Sequence, residues 1–289
     1  MIGFFLVVLL ISGMMFLSLS LLTYAFFWYE TANTSYRNCL DRLSGGKTKF
    51  WLASGIFSSC LSLFLVAIFY PAGFCKRLWH PEADTHCHFP PVILVHGIYH
   101  NPAAWTLYHW WLKRAGFKNV YAFSYNSWHS NFDECLQQLN TFVKKICFLL
   151  PGRKVILLGH SLGGLLCRAY ADATDMQSDV AAVITLGTPH QGSKMAVLGL
   201  GRLVKNLAYR GPLIEEMEQC SPNPDIPRVA FYSPVDNMVL PNEALRSRCP
   251  TWSHQRISPI SHVAVLFHRP TAKQIMEYIK NYEEKWTIC

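Results

Sequence analysis

The segment Gly159–Gly163 reads Gly-His-Ser-Leu-Gly and places a serine between two glycines. It follows the apolar run Val155–Leu158, which predicts a buried strand, and it opens a segment with helical spacing. In a turn between a strand and a helix, the glycines let the backbone pass without Cβ clashes, and the serine hydroxyl projects from the end of the sheet. Ser161 is therefore predicted to be a nucleophile that attacks a carbonyl carbon.

A nucleophilic serine needs a base that takes its proton and an acid that orients the base. Asp236 follows the predicted strand Val229–Tyr232, at the carboxyl end of the sheet, and His262 comes later in the chain. The order Ser, Asp, His is the one that this motif requires, so Ser161, Asp236 and His262 are the predicted triad. Two acids and two histidines of the same region are the alternatives: Asp225, Glu243, His254 and His268.

The oxyanion that forms when a serine attacks a carbonyl needs two backbone N–H donors. Leu162, directly after the nucleophile, is predicted to supply one of them. Ile98, which follows Gly97 in the loop after the apolar run Val92–Val95, is predicted to supply the other. Three nearby histidines are predicted to be hydrogen-bonded structural residues: His96, His160 and His190.

The segments that must position these residues alternate between apolar strands and helices, which predicts an α/β fold with a mostly parallel sheet of about six strands. The predicted strands are Val92–Val95, Val120–Phe123, Val155–Leu158, Val180–Leu186, Val229–Tyr232 and Gln255–Ile257. The predicted helices cover residues 103–115, 132–149, 162–173 and 271–284. The amphipathic stretch Ser193–Tyr209 fits either a crossover helix or a lid of about 193–220.

Two stretches without charged residues, 1–29 and 50–75, account for much of the 51% hydrophobic content. Each is longer than the roughly 20 residues that cross a bilayer, and the first lacks the basic start of a signal peptide. They predict transmembrane helices at about 2–28 and 50–72, within a membrane anchor of residues 1–77. A linker, 78–90, and an α/β domain, 91–289, follow. The hydrophobic content also excludes intrinsic disorder.

The basic residues of the chain report topology rather than an acidic partner. Two bases, Lys76 and Arg77, follow the second apolar stretch, whereas four lie in the loop between the stretches, which favours a cytoplasmic loop: Arg37, Arg42, Lys47 and Lys49. The α/β domain would then face the periplasm of a bacterial inner membrane, with the bilayer as its partner. Half of the net charge of +8 lies in residues 1–77, and the bases beyond them are scattered, which argues against nucleic-acid binding. The oligomeric state is left open.

The ten cysteines form no C-x-x-C pair, so no zinc site is expected. Cys220 and Cys249 could form a disulfide if the domain is exported. Cys75 and Cys87 flank a His-rich segment that fits a disulfide or a solvated linker, with a metal site as a less favoured alternative.

Three segments resemble the lipase branch of the α/β-hydrolases, which includes secreted bacterial triacylglycerol lipases and GPI-inositol-deacylase-like esterases. They are Pro91–Gly97, Gly159–Gly164 and Thr185–Ser193. The resemblance covers residues 90–285 and implies hydrolysis of carboxylic esters of lipids, acylglycerols or phospholipids, by Ser161, His262 and Asp236, without a cofactor. It implies Ile98 and Leu162 as oxyanion donors and a lid after the Thr-Pro-His-Gln-Gly motif. Because residues 257–266 contain no acid, the structural calcium of some relatives is not expected. An acyltransferase with the same triad, and a non-catalytic membrane scaffold, are the alternatives.

Overall fold

The computed structural model describes residues 2–173, 175–219 and 222–281. The chain begins with three helices: α1 (Ile2–Ala32), α2 (Tyr36–Ser44) and α3 (Thr48–Phe69). The segments Leu9–Ala32 and Thr48–Phe74 are long and apolar enough to cross a membrane, by length and composition, and only 17% of the apolar stretch of each is buried in the protein. They are candidate membrane spans, and α1 runs a few residues further than the predicted end at about residue 28.

α1 and α3 pack against each other as a hairpin through small residues. Gly55 and Ser59 are on the buried side of α3, and the ring of Tyr24 on α1 fills the space that a Cβ on Gly55 would need. The hydroxyl of Ser20 donates to Ser59 at 2.9 Å. Small residues allow apolar helices to approach closely, so this contact is typical of helices that associate in lipid.

The α/β domain, residues 91–281, is built on one sheet whose order is β2-β1-β3-β4-β5-β6, with every neighbouring pair parallel. The expected parallel sheet of about six strands is thus confirmed. The strands are β1 (Val92–Val95), β2 (Val120–Phe123), β3 (Val155–His160), β4 (Val180–Leu186), β5 (Arg228–Tyr232) and β6 (Trp252–Arg256). The predicted start of the last strand at Gln255 is wrong, because an edge strand exposes one face and its polar residues hide the strand pattern.

The remaining helices cover both faces of the sheet. They are α4 (Lys76–Trp79), α5 (Thr106–Arg114), α6 (Phe132–Leu149), α7 (Leu162–Asp172), α8 (Arg202–Lys205), α9 (Pro212–Gln219) and α10 (Arg269–Asn281). Alternate side chains of β1 enter two cores: Ile93 and Val95 pack with α6 and α7, whereas Val92 and Leu94 pack with α5 and α10. The strands are buried on both faces, which explains their continuous apolar runs.

The stretch Ser193–Tyr209 is not one helix, so the prediction of a single crossover helix is wrong. It forms a short 3₁₀ helix, Lys194–Leu198, and then the four-residue helix α8. Gly201 lies between them with φ +94°, a backbone conformation that breaks a helix. Cys220, at the end of the predicted lid and in one predicted disulfide, lies outside the described residues. Cys75 and Cys87 both carry free thiols, so the disulfide proposed for that pair is wrong.

The hairpin lies lengthwise against the α/β domain, which contacts it at both ends. At one end the hydroxyl of Tyr36 on α2 donates to the carbonyl of Pro234 at 2.8 Å. At the other end, just after α3, the carbonyl of Tyr70 accepts from Asn101 Nδ2 at 3.0 Å. A bilayer cannot separate groups in contact, so these contacts do not favour the predicted placement of the basic loop and the α/β domain on opposite sides of a membrane.

Candidate active site

Ser161 occupies the turn between β3 and α7 with φ +54° and ψ −124°, a backbone conformation that residues other than glycine rarely adopt. Such strain costs on the order of 1–3 kcal/mol and persists where surrounding contacts enforce it. The Ser161 N–H donates to the carbonyl of Leu186 at 3.0 Å, and the Ser161 carbonyl accepts from the Thr188 hydroxyl at 3.1 Å. The serine side chain therefore leaves the sheet at the positive N-terminal end of α7.

The glycines beside Ser161 are required by close backbone approach. A Cβ on Gly159 would lie 2.5 Å from the carbonyl oxygen of Gly163. A Cβ on Gly163 would collide with the carbonyl oxygen of Val95 on the neighbouring strand. Because these contacts are with backbone atoms, no side-chain rotation relieves them, and the turn admits no larger residue at either position.

Asp236 and His262 form a buried pair although 26 positions separate them along the chain. Nδ1 of His262 lies 2.8 Å from Oδ2 of Asp236. The other carboxylate oxygen, Oδ1, accepts the backbone N–H groups of Met238 at 2.9 Å and Val239 at 3.0 Å. The carboxylate is therefore held by three donors, and it fixes the tautomer of His262 that leaves Nε2 unprotonated and able to accept a proton.

His96 orients the peptide that carries the predicted oxyanion donor Ile98. Burial lowers the pKa of His96 to about 3, so its ring is neutral. The Tyr125 N–H points at Nε2 from 3.4 Å, which assigns the proton to Nδ1, and Nδ1 donates to the Gly97 carbonyl at 2.8 Å. The Gly97 carbonyl and the Ile98 N–H belong to the same peptide group and point in opposite directions when that peptide is trans. The hydrogen bond from His96 to the carbonyl therefore also fixes the direction of the Ile98 N–H. His96 is a hydrogen-bonded structural residue, as predicted, and its hydrogen bond orients the loop that carries Ile98.

Ser161, His262 and Ile98 line one pocket of about 320 Å³, which we call the central pocket. This volume is at the lower end of the roughly 300–1,000 Å³ of small-molecule sites. The ring of His160 lies beside that of His262, with centroids 4.8 Å apart, and its Nε2 is 3.2 Å from the His262 carbonyl oxygen. Burial lowers the pKa of His160 well below its usual value, so it is a neutral donor that supports the His262 backbone.

Comparison with known proteins agrees with this geometry. A family model described as palmitoyl protein thioesterase matches residues 91–222. A triacylglycerol lipase from Pseudarthrobacter phenanthrenivorans is 37% identical over 114 residues, which are 37% of this chain and 35% of that protein. A GPI inositol-deacylase from Candida albicans is 39% identical over 57 residues, 20% of this chain and 15% of that protein. The chain thus spans about a third or less of the length of these curated relatives.

The fold comparison points the same way. The crystal structure of the mature Bacillus licheniformis lipase BlEst2 superposes with a TM-score of 0.59 at 18% identity, covering 69% of this chain and 95% of that one. The chain therefore has the α/β-hydrolase fold, and part of its sequence is similar to lipases and to the thioesterase family. In this α/β-hydrolase the matched part begins at residue 91, directly after the predicted linker and after the hairpin.

The alternative acids and bases of this hydrolase lie away from the central pocket. Asp225 is exposed and precedes β5, at the opposite end of the sheet. Glu243 is exposed and lies 3.3 Å from the Tyr209 hydroxyl. His254 lies inside β6 rather than before it, and the His268 ring bonds to Thr271 at 2.7 Å. The structure therefore brings Asp236 and His262 together and leaves the four alternatives apart.

Sequence reasoning missed Asn237, the residue after Asp236. Its Oδ1 accepts the backbone N–H of His262 at 3.1 Å, and its Nδ2 donates to the Thr23 hydroxyl of α1 at 2.7 Å. Because a backbone N–H can only donate, the amide orientation is determined. The one feature of the sequence that could have pointed to Asn237 is that it directly follows Asp236. The α/β-hydrolase thus holds its histidine partly through the membrane-type hairpin.

Proposed function

We propose that this α/β-hydrolase is a membrane-attached serine esterase that cleaves carboxylic esters of lipids, acylglycerols or phospholipids, through Ser161, His262 and Asp236. One observation carries the proposal: His262, which Asp236 holds at 2.8 Å, lines the same pocket as Ser161, and Ser161 lies in a strained turn. A buried acid that orients a histidine beside a serine is the arrangement of an activated nucleophile.

In the proposed reaction, Nε2 of His262 takes the proton of the Ser161 hydroxyl as the oxygen attacks the ester carbonyl. Asp236 stabilises the imidazolium that forms and is itself not protonated. The tetrahedral oxyanion accepts the backbone N–H groups of Ile98 and Leu162. Leu162 is the first residue of α7, so its N–H has no partner within the helix.

Collapse of this intermediate breaks the ester bond, and the leaving alcohol takes the proton from His262. The acyl group is then bonded to Ser161. A water molecule attacks the acyl-enzyme while His262 again accepts a proton, and the carboxylic acid leaves with Ser161 restored.

A second candidate substrate class is the fatty acyl thioester. The family model that matches residues 91–222 is described as a palmitoyl protein thioesterase, and the same three residues could transfer an acyl group from sulfur. A thioester differs from an oxygen ester in its leaving atom alone, so the relative kcat/KM of matched palmitoyl esters and thioesters distinguishes the two.

We propose that the hairpin attaches the enzyme from one side, the cytoplasmic side. The basic segment around α2 lies against the α/β domain, and segments rich in Lys and Arg favour the cytoplasm. Among the residues that the structure describes, eight cysteines carry free thiols, which suits a reducing compartment.

Labelling of the full-length protein with a fluorophosphonate probe tests the esterase proposal. We expect covalent labelling of the wild type at Ser161, none of Ser161→Ala, and slowed labelling of His262→Ala. Labelling that persists in Ser161→Ala, or a folded wild type that does not react, would overturn it. Melting curves show whether each variant is folded.

A further inference from the structure

The central pocket is closed on one side by the hairpin rather than by the α/β domain. Five residues of α1 and α3 line it: Leu19, Thr23, Ser59, Leu63 and Val66. Ser161 and His262 line it from the α/β domain. The hairpin therefore supplies part of the surface that surrounds anything bound at the serine.

This wall is chemically suited to a hydrocarbon chain. Its two hydroxyl groups are already hydrogen-bonded within the protein, Ser59 with Ser20 at 2.9 Å and Thr23 with Asn237 at 2.7 Å. The other three side chains of the wall are purely hydrocarbon. A surface whose polar groups are satisfied gains most by contact with apolar atoms, at roughly 25 cal/mol per Å² removed from water.

The wall adjoins surface that is apolar and exposed. Leu19 lines the pocket and is still 46% exposed, and Leu21 and Leu22 beside it on α1 are exposed as well. In the α/β domain, Met195 and Ala196 of the Lys194–Leu198 turn line the pocket, while the next residue, Val197, is 84% exposed. An exposed apolar surface of this kind on a hairpin of membrane-type helices suits contact with lipid.

We propose that α1 and α3 form the acyl-chain wall of the active site, and that a long-chain ester enters sideways from the bilayer, between α1 and the Lys194–Leu198 turn. The inference rests on the proposed esterase function. It assigns the hairpin a role in substrate recognition as well as attachment. The substrate keeps its chain in an apolar environment from the bilayer to Ser161, so the chain is never exposed to water.

Substitutions that fill the pocket from α3 test the inference. Leu63→Trp and Val66→Trp place a large ring in the wall, whereas Leu61→Trp and Ile68→Trp place the same ring on the exposed side of α3. The full-length variants are assayed in detergent micelles with p-nitrophenyl butyrate and p-nitrophenyl palmitate. The quantity compared is the ratio of kcat/KM for palmitate to that for butyrate.

We expect this ratio to fall by about tenfold or more in the two wall variants, which is the scale of steric discrimination in an apolar pocket, and to stay near wild type in the two outer variants. Leu63→Ala, which enlarges the pocket, should raise the ratio. It tests the wall independently of the Trp variants, even where one of them fails to fold. An unchanged ratio in folded wall variants, while a small fluorophosphonate still labels Ser161, would overturn the inference alone. Failure of the wild type to be labelled would overturn the esterase function and this inference with it.

Discussion

Removing the Thr23 hydroxyl tests whether α1 helps to position His262, the proposed catalytic base. Thr23 Oγ1 accepts from Asn237 Nδ2 at 2.7 Å, and Asn237 Oδ1 accepts the His262 N–H at 3.1 Å. Thr23→Val keeps the shape of the side chain and removes the acceptor. Because Asn237 is only 4% exposed, water cannot replace the lost partner, and an unsatisfied buried donor costs about 1–3 kcal/mol.

If Asn237 relieves this cost by turning away, the His262 backbone loses its partner and the ring leaves the productive arrangement in most molecules. A cost of about 2 kcal/mol, the middle of that range, converted at about 1.4 kcal/mol per factor of ten, predicts a roughly 30-fold fall in kcat. KM for p-nitrophenyl butyrate should change little, since valine keeps the shape that Thr23 gives to the pocket wall. Thr23→Ser restores the acceptor and should recover most of kcat.

Ser20→Ala is the matched control, because it removes a buried hydroxyl of the same helix whose partner is Ser59 of α3 rather than a catalytic loop. Steady-state kinetics of the three full-length variants, with melting temperatures for each, decide the outcome. A wild-type kcat in Thr23→Val, or an equal loss in Ser20→Ala, would show that the link to Asn237 does not position the histidine.

Asp236→Asn should lower kcat by about 10⁴-fold with little change in fold, because the amide no longer selects the active tautomer of the histidine, and a small loss in steady-state assays would contradict this role. Acidification should destabilise the protein. Burial lowers the pKa of His96 to about 3 and that of His190 well below its usual value. Below about pH 6 the unfolded chain therefore binds protons that the native state excludes, and the free energy of unfolding falls. Each histidine should remove about 1.4 kcal/mol per pH unit, seen as a melting temperature that falls from pH 7 to pH 5. In membrane vesicles of known orientation, Lys47→Cys and Lys154→Cys, both exposed, should react with an impermeant maleimide from the same side, and reaction from opposite sides would refute one-sided attachment.

The sheet and the turn that carries Ser161 could be predicted because local sequence patterns encode them. Continuous apolar runs mark strands that are buried on both faces, and the bounds of β1, β2 and β4 were predicted to the residue. The strand β6 was placed too late because its exposed edge reads as polar sequence. The turn around Ser161 is itself a local motif, whereas the choice of Asp236 and His262 came from their position relative to strands.

The contacts of the hairpin could not be predicted, because no local pattern reports them. Thr23 and Asn237 are 214 positions apart, and a lone threonine in an apolar stretch looks like any other helix residue. The same holds for Tyr36, whose hydroxyl bonds to the carbonyl of Pro234, 198 positions away. Composition and charge describe each segment by itself, while these contacts depend on how a finished domain fits its neighbour.

The order of the chain gives the hairpin a place in time as well as in space. The hairpin leaves the ribosome before the strands of the sheet, and domains generally fold in the order of synthesis. The loops with Asp236 and His262 emerge late and must close on helices made more than 200 residues earlier, a contact of the kind that forms slowly. The proposed active site is therefore completed only when the last of its loops closes on the hairpin, and the proposed activity should appear late in folding.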